Sequence, residues 1–366
     1  MADQRKGGIA WTETTWNPIR GCSKVSPGCD NCYALAMASR FSGPGKPFEG
    51  LVMPFGTSEW TGAVRFIPEH LSDPLHWRTP RRVFVNSMSD LFSPGITNEL
   101  RAAIYGVMAA CPQHTFQVLT KRPEEAVKWH EWVKSEAVDA DGRSMIPEAW
   151  VCAESAERHL KRGGLDDRSI WPPPNIVLVT SCESQPYADL RIPLLLKCPA
   201  AVRGISAEPL LGPLDVSEYL RATRTLHVRM DIAGAIRNRA FDCFTDDNGD
   251  AVPVREAEAG LKARLAAGEK YFPMCDCPDF DPQTGCNPKL NPRLDWLIVG
   301  PETGPHRREC KLEWIESIID QGRDAGVPVF VKAIPLGGKI SKNPEEWPER
   351  LRIRMMPGDK LSSTNE

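Results

Sequence analysis

No apolar run in this 366-residue chain approaches the ~20 residues a membrane span needs. The opening stretch MADQRKGGIAW also lacks the apolar core of a secretory signal, so the expected compartment is the cytoplasm and no membrane partner is expected. Charge of either sign is nearly balanced, with a formal net charge of −3. That excludes a polyanion-coating protein, and any nucleic-acid contact must come from local patches such as Arg81-Arg82, Lys121-Arg122 and Arg307-Arg308. No G-x-G-x-x-G follows the first strand-like segment, which argues against a dinucleotide-binding sheet. What is present is 41% hydrophobic residues, enough for a large core, and twelve cysteines.

Short apolar, β-branched runs alternate with amphipathic stretches, the rhythm of strand–helix units on a parallel sheet. Strands are predicted over 9–16, 82–88, 115–120, 175–181, 201–206, 295–300 and 327–332, and helices over about 32–41, 98–110, 122–135, 185–197 and 311–325. Asn98 with Glu99, and Pro123 with Glu124 and Glu125, read as helix starts. Seven such repeats predict an α/β fold, a partial or complete (β/α) TIM-like barrel; a doubly wound open sheet is the competing topology. The barrel is expected over 1–222 and 293–345, interrupted by a cysteine-containing insertion over 223–292 and followed by a C-terminal tail over 346–366 that is loose beyond Pro357.

Polar residues gather just past the predicted strand ends. They are Asn86, Ser87, Ser89 and Asp90; Thr120, Lys121 and Arg122; Ser181, Cys182 and Glu183; Ser206 and Glu208; Glu302 and Thr303; and Lys332. Sites in parallel barrels are built at the C-terminal ends of strands, so these exits predict a rim where catalysis occurs. For any one residue the competing explanation is that strand ends are polar wherever chain meets water.

Twelve cysteines are many for a reducing compartment and too sparse for a disulfide scaffold. Cys22, Cys29 and Cys32 follow the first strand and precede a helix. A disulfide would leave one thiol over, structural zinc wants a fourth ligand, and three thiolates on a cubane iron–sulfur cluster leave one iron free for a ligand. Cys243, Cys275, Cys277 and Cys286 form a second group in the insertion, where zinc or an auxiliary iron–sulfur cluster is expected if metal is bound at all. Cys111, Cys152, Cys198 and Cys310 read as small buried hydrophobes; Cys182, inside TSCES, could instead reach the rim and donate hydrogen to a product radical. Trp11, Trp16, Trp60 and Trp77 could pack in the core or stack bases.

The stretch TWNPIRGCSKVSPGCDNCYA, followed by VFVNSMSDLF, FQVLTKRPEE, GISAEPLLGPLD and DWLIVGPETGP, resembles an uncharacterised phage-associated family related to radical S-adenosylmethionine enzymes. The resemblance covers about 9–222 and 293–335, with one departure: the superfamily most often spaces its ligands x3 then x2, and here the first gap is x6. It implies a barrel of the radical SAM type in which Cys22, Cys29 and Cys32 ligate a [4Fe–4S] cluster and S-adenosylmethionine takes the fourth iron. It further implies an external electron donor of flavodoxin or ferredoxin type, and a cytoplasm that is a phage-infected host's. A nucleic-acid base is the implied substrate, in thymidine hypermodification or rearrangement of phage DNA. Lesion repair by a pyrimidine lyase with the same cofactors is one alternative, and a zinc-stabilised nucleic-acid-binding protein without catalysis is another. Under this resemblance Ser87, Ser89 and Asp90 suit the cofactor's ammonium. Ser181 and Glu183 suit its ribose or amino-acid part, Lys121 and Arg122 a carboxylate or phosphate, Lys332 a phosphate, and Ser206 and Glu208 complete the cofactor-binding rim.

Overall fold

The computed structural model describes residues 9–53, 59–138, 148–161, 163, 165, 170–220 and 292–359. Its first segment carries β1 (Thr14–Trp16), β2 (Ile19–Arg20), α1 (Tyr33–Arg40) and β3 (Arg65–Phe66). The middle runs β4 (Arg82–Val85), α2 (Asn98–Ala109), β5 (Thr115–Thr120), α3 (Pro123–Glu136), α4 (Glu148–Leu160), β6 (Ile176–Ser181), α5 (Gln185–Lys197) and β7 (Val202–Ala207). The last part holds β8 (Trp296–Val299), α6 (Leu312–Asp324), β9 (Val329–Val331), β10 (Ile334–Leu336) and β11 (Lys339–Ser341).

Among the described residues, seven strands form one curled sheet in the order β1-β4-β5-β6-β7-β8-β9, every neighbouring pair parallel. The order never reverses, so each crossover advances in one direction. A doubly wound sheet reverses at a switch point and is excluded by this order. β1 and β9 are the two edges, and the sheet is an open half-barrel rather than a complete ring.

Strand side chains alternate between two cores. Val83 and Val85, Phe116 and Val118, Leu178, Ile205, Leu297 and Val329 join the large cluster that also holds Ala103 and Ile104 of α2, Ile192 of α5 and Ile315 and Ile318 of α6. Their neighbours Phe84, Val177, Val179, Trp296, Ile298 and Phe330 form a second cluster with Trp11 on the inner face. Trp11 packs 4.8 Å from Phe84 and 6.3 Å from Trp296, ring centre to ring centre. Each large side chain so buried contributes about 1.5–3 kcal/mol. The plug also explains why the first strand is shorter than predicted. Thr12 turns back onto Ile9, and Trp11 leaves the ladder to fill the inner face.

Proline at the first helical position and acids in the first turn start α3 as the sequence predicts, and Thr97 caps α2 by accepting from the Leu100 amide at 3.2 Å. The sequence does not predict α4 or the two antiparallel pairs, β2 with β3 and β10 with β11. α4 buries Ala149, Cys152 and Ala156 on α2, where Gly106 lets the backbones meet; a Cβ there would strike the Cys152 carbonyl. The first part of the tail, before Pro357, packs against the sheet. Val331 donates to the Ile353 carbonyl and Met355 to the Val329 carbonyl, so this segment covers the exposed edge of β9, while Trp347 and Leu351 are buried.

The chain divides into two units, Met1–Leu220 with Leu294–Glu366, and Arg221–Arg293. The segment read as an insertion, with Cys243, Cys275, Cys277 and Cys286, lies almost wholly outside the described residues. Among the described residues no helix is long and apolar enough to cross a membrane.

Candidate active site

The inner-face alternation that places Phe84, Leu119 and Val179 inward continues to Asn86 and Lys121, just past their strands, and to Ser181 at the end of β6. These residues and the loop after β2 enclose one open cavity. Cys22, Cys29 and Cys32 all line it, and all three are free, half-buried thiols. Ser87, Ser89, Asp90 and Arg122 complete its polar wall. Six of the nine residues expected to bind cofactor therefore share one cavity with the three cysteines.

The cysteine loop is held in shape locally and by three long-range ties. Gly21 stands at φ 94°, where a Cβ would strike the Ala63 carbonyl, and a short turn of 3-10 helix, Pro27–Cys29, precedes α1. The first tie is Arg122, which donates to the Ser23 carbonyl at 2.9 Å and to the Ser23 hydroxyl at 2.6 Å while pairing with Asp90 at 3.1 Å. Asp90 also accepts from Thr120 Oγ1 at 2.8 Å and from the Lys121 amide at 3.0 Å. Its carboxylate is thereby saturated, so Asp90 anchors the loop rather than offering a free acceptor.

Glu183 makes the second tie from behind the cavity, which it does not line. It is fully buried, accepts from Arg191 at 2.9 Å, and faces the Gly28 amide at 3.4 Å; a Cβ on Gly28 would press on its carboxyl carbon at 3.0 Å. The third tie comes from Arg308. Arg308 donates to the Pro27 carbonyl at 2.9 Å and to Asp30 at 3.0 Å, and grips Glu302 at 2.6 Å. Asn31 donates to the same Glu302 at 3.0 Å. Burial raises the Glu302 carboxyl, but the hydrogen bonds from Arg308 and Asn31 outweigh it and leave the group below its ordinary value. In the sequence Arg308 reads only as half of a basic pair, because its partners in the cysteine loop, Pro27 and Asp30, lie far away along the chain.

Ser87 and Ser89 spend their hydroxyl protons on Asn17 Oδ1 and the Ile19 carbonyl, both at 3.1 Å, which leaves oxygen lone pairs and not free donors. Lys121 donates to Ser181 Oγ at 3.0 Å within the cavity. Ser206 is buried on β7, and Glu208 is held in an ion pair with Lys332; neither is among the lining residues. Cys182 does not reach the rim. One residue beyond Ser181, it falls on the opposite face, wholly buried in the outer core with Ala188 and Ile192, where burial drives its thiol pKa far upward. Cys111, Cys152, Cys198 and Cys310 are likewise buried thiols.

Burial pushes the Cys22 thiol up to about 11, with Asp90 adding to the rise and Arg122 opposing it. A metal ion would deprotonate such a thiol on binding. Among the described residues no three His, Cys, Asp or Glu side chains converge on a single-ion site. Tetrahedral zinc would need thiolate sulfurs about 3.8 Å apart, whereas a cubane cluster gives each thiolate its own iron and spreads the ligands. No fourth cysteine is among the lining residues, so a cubane cluster on these three thiolates would keep one iron open.

Residues 6–350 match the family described as Protein of unknown function (DUF5131). The chain belongs to this family. Nothing among curated proteins or solved structures matches the chain. The family match spans both sides of the half-barrel and takes in every residue of the cavity and of the three ties.

Proposed function

We propose that the chain is a radical S-adenosylmethionine enzyme whose half-barrel is of the radical SAM type and whose substrate is a nucleic-acid base. The observation that carries this reading is that Cys22, Cys29 and Cys32 all line one cavity at the C-terminal strand ends. A [4Fe–4S] cluster held by those thiols, together with S-adenosylmethionine, would supply a 5′-deoxyadenosyl radical able to abstract hydrogen from an unactivated carbon.

The chain's own residues do the rest. Arg122, Glu183 and Arg308 hold the loop so that the three thiols keep their spacing. Phe84 and Leu119 form an apolar floor that excludes water from the reacting centre. Lys121, held by Ser181, presents a positive charge for a carboxylate or phosphate. Electrons would come from a flavodoxin- or ferredoxin-type donor, and phage DNA thymidine is the substrate this reading favours. Any metal at Cys243, Cys275, Cys277 and Cys286 would be additional to this centre.

Anaerobic reconstitution with iron and sulfide tests the proposal. The expected result is a brown protein whose broad visible absorption changes on adding S-adenosylmethionine and which forms 5′-deoxyadenosine under reduction. Cys29→Ala should abolish both signals and leave the circular dichroism unchanged. Stoichiometric zinc at these thiols, without 5′-deoxyadenosine, sinks the reading.

A further inference from the structure

Asn86 stands one residue past β4 in left-handed backbone, φ 59°. Asparagine enters that region several-fold more readily than most residues with a side chain. The backbone is pinned on both sides: its amide donates to the Trp16 carbonyl at 2.8 Å and its carbonyl accepts from the Ser89 amide at 3.1 Å. The residue is 1% exposed and lines the cavity, yet neither the nitrogen nor the oxygen of its carboxamide has a hydrogen-bond partner. Polar side chains around it are satisfied, Ser87 by Asn17, Asp90 by Arg122 and Lys121 by Ser181. A buried amide left unpaired on both atoms costs stability, and a fixed backbone that maintains it points to a ligand.

A carboxamide offers one acceptor and one donor side by side in a plane. The group that satisfies both at once presents a donor and an acceptor at the same spacing, as the amide or amidine edge of a heterocyclic base does. The same cavity is lined by Phe84, Trp60, Tyr33 and Leu119, which supply aromatic and apolar surface for a flat ring. We infer that Asn86 reads the edge of a purine or pyrimidine base bound in this cavity. The inference rests on the reading of the cavity as the active site, where the base would be either the adenine of the cofactor or a base of the substrate.

Two variants separate recognition from folding. Asn86→Asp keeps the shape and the tolerance of left-handed backbone but replaces the donor by an acceptor, and Asn86→Gly keeps the backbone and removes the side chain. Equilibrium dialysis of the full-length protein, with and without reconstituted cluster, would use adenosine and a short single-stranded oligothymidylate as probes. The wild-type protein is expected to bind at least one probe, and both variants to bind it about tenfold more weakly or worse. A loss confined to adenosine assigns the cofactor's adenine, and one confined to oligothymidylate assigns a substrate base. Wild-type protein that binds neither probe, or variants that bind both as well as wild type, overturn the inference. Cluster absorption and 5′-deoxyadenosine are scored in the same preparations. Their absence from the wild type would sink the radical reading, while binding to the cluster-free protein would still decide the role of Asn86.

Discussion

Arg122 and Asp90 form an ion pair 3.1 Å apart with both side chains less than a tenth exposed, and the same guanidinium reaches on to the carbonyl of Ser23. One buried charge pair thus joins the end of β5, the turn after β4 and the cysteine loop. Removing either partner leaves the other charge desolvated and unpaired. Arg122→Ala and Asp90→Asn are each expected to cost about 3–5 kcal/mol. In a double-mutant cycle their effects should fall short of additivity by about 1 kcal/mol or more, measured by urea unfolding. Strict additivity would show that the pair is not coupled.

Arg308 acts on the loop from the other side, and its removal should loosen the thiols without unfolding the sheet. Arg308→Ala is expected to raise the rate of Cys29 alkylation by iodoacetamide several-fold and to speed amide exchange over residues 27–31. Arg308→Lys should restore little, because an ammonium cannot grip Glu302, Asp30 and the Pro27 carbonyl at once. An alkylation rate equal to wild type in Arg308→Ala would remove the clamp from the account.

His130 makes acid stability a sharp test of the α3 packing. The ring lies against Trp129 and Trp171, 4.7 and 6.1 Å between centres, and Nδ1 donates to the Ala126 carbonyl at 2.8 Å. Burial lowers its pKa from 6.5 to about 4, with the hydrogen bond to Ala126 opposing the fall. Between those values the unfolded chain binds the proton and the folded chain does not, so stability rises with pH across the window and is lost as pH falls from 6.5 toward 4. The loss is on the order of 3 kcal/mol. Urea unfolding at pH 7 and pH 4.5 should show this slope in the wild type and a shallower one in His130→Gln.

Cys182 and Ser181 should separate cleanly in function. Cys182→Ala is expected to retain cluster absorption and 5′-deoxyadenosine formation while losing about 1–2 kcal/mol of stability, since it only empties part of a packed core. Ser181→Ala frees Lys121 and should change ligand affinity with little effect on stability. Loss of 5′-deoxyadenosine in Cys182→Ala, with normal unfolding, would return that thiol to the chemistry.

Much of the architecture is legible along the chain. The run RVFVNSM contains β4, TFQVLT coincides with β5, and the Pro123 start of α3 lies where proline and acids place it. Periodicity and capping are local, so they survive without knowledge of distant contacts. α4 is hard to read because EAWVCAESAERHL buries mostly small residues, Ala149, Cys152, Ala153, Ser155 and Ala156, a face formed against Gly106 of α2 rather than a conspicuous apolar stripe. The winding of the sheet was open between two topologies, since strand order depends on which strands pair.

By itself the sequence determined the strand–helix rhythm and the presence of three thiols beside a helix start, because each follows from spacing over a few residues. Only the tertiary structure decided that those thiols line one cavity with Asn86, Lys121 and Ser181, that Cys182 turns away from it, and that Arg308 clamps a loop 281 positions earlier. The physical reason is that side-chain direction reverses with every residue of a strand, and a buried polar group finds its partner by proximity in space, which spacing along the chain does not encode.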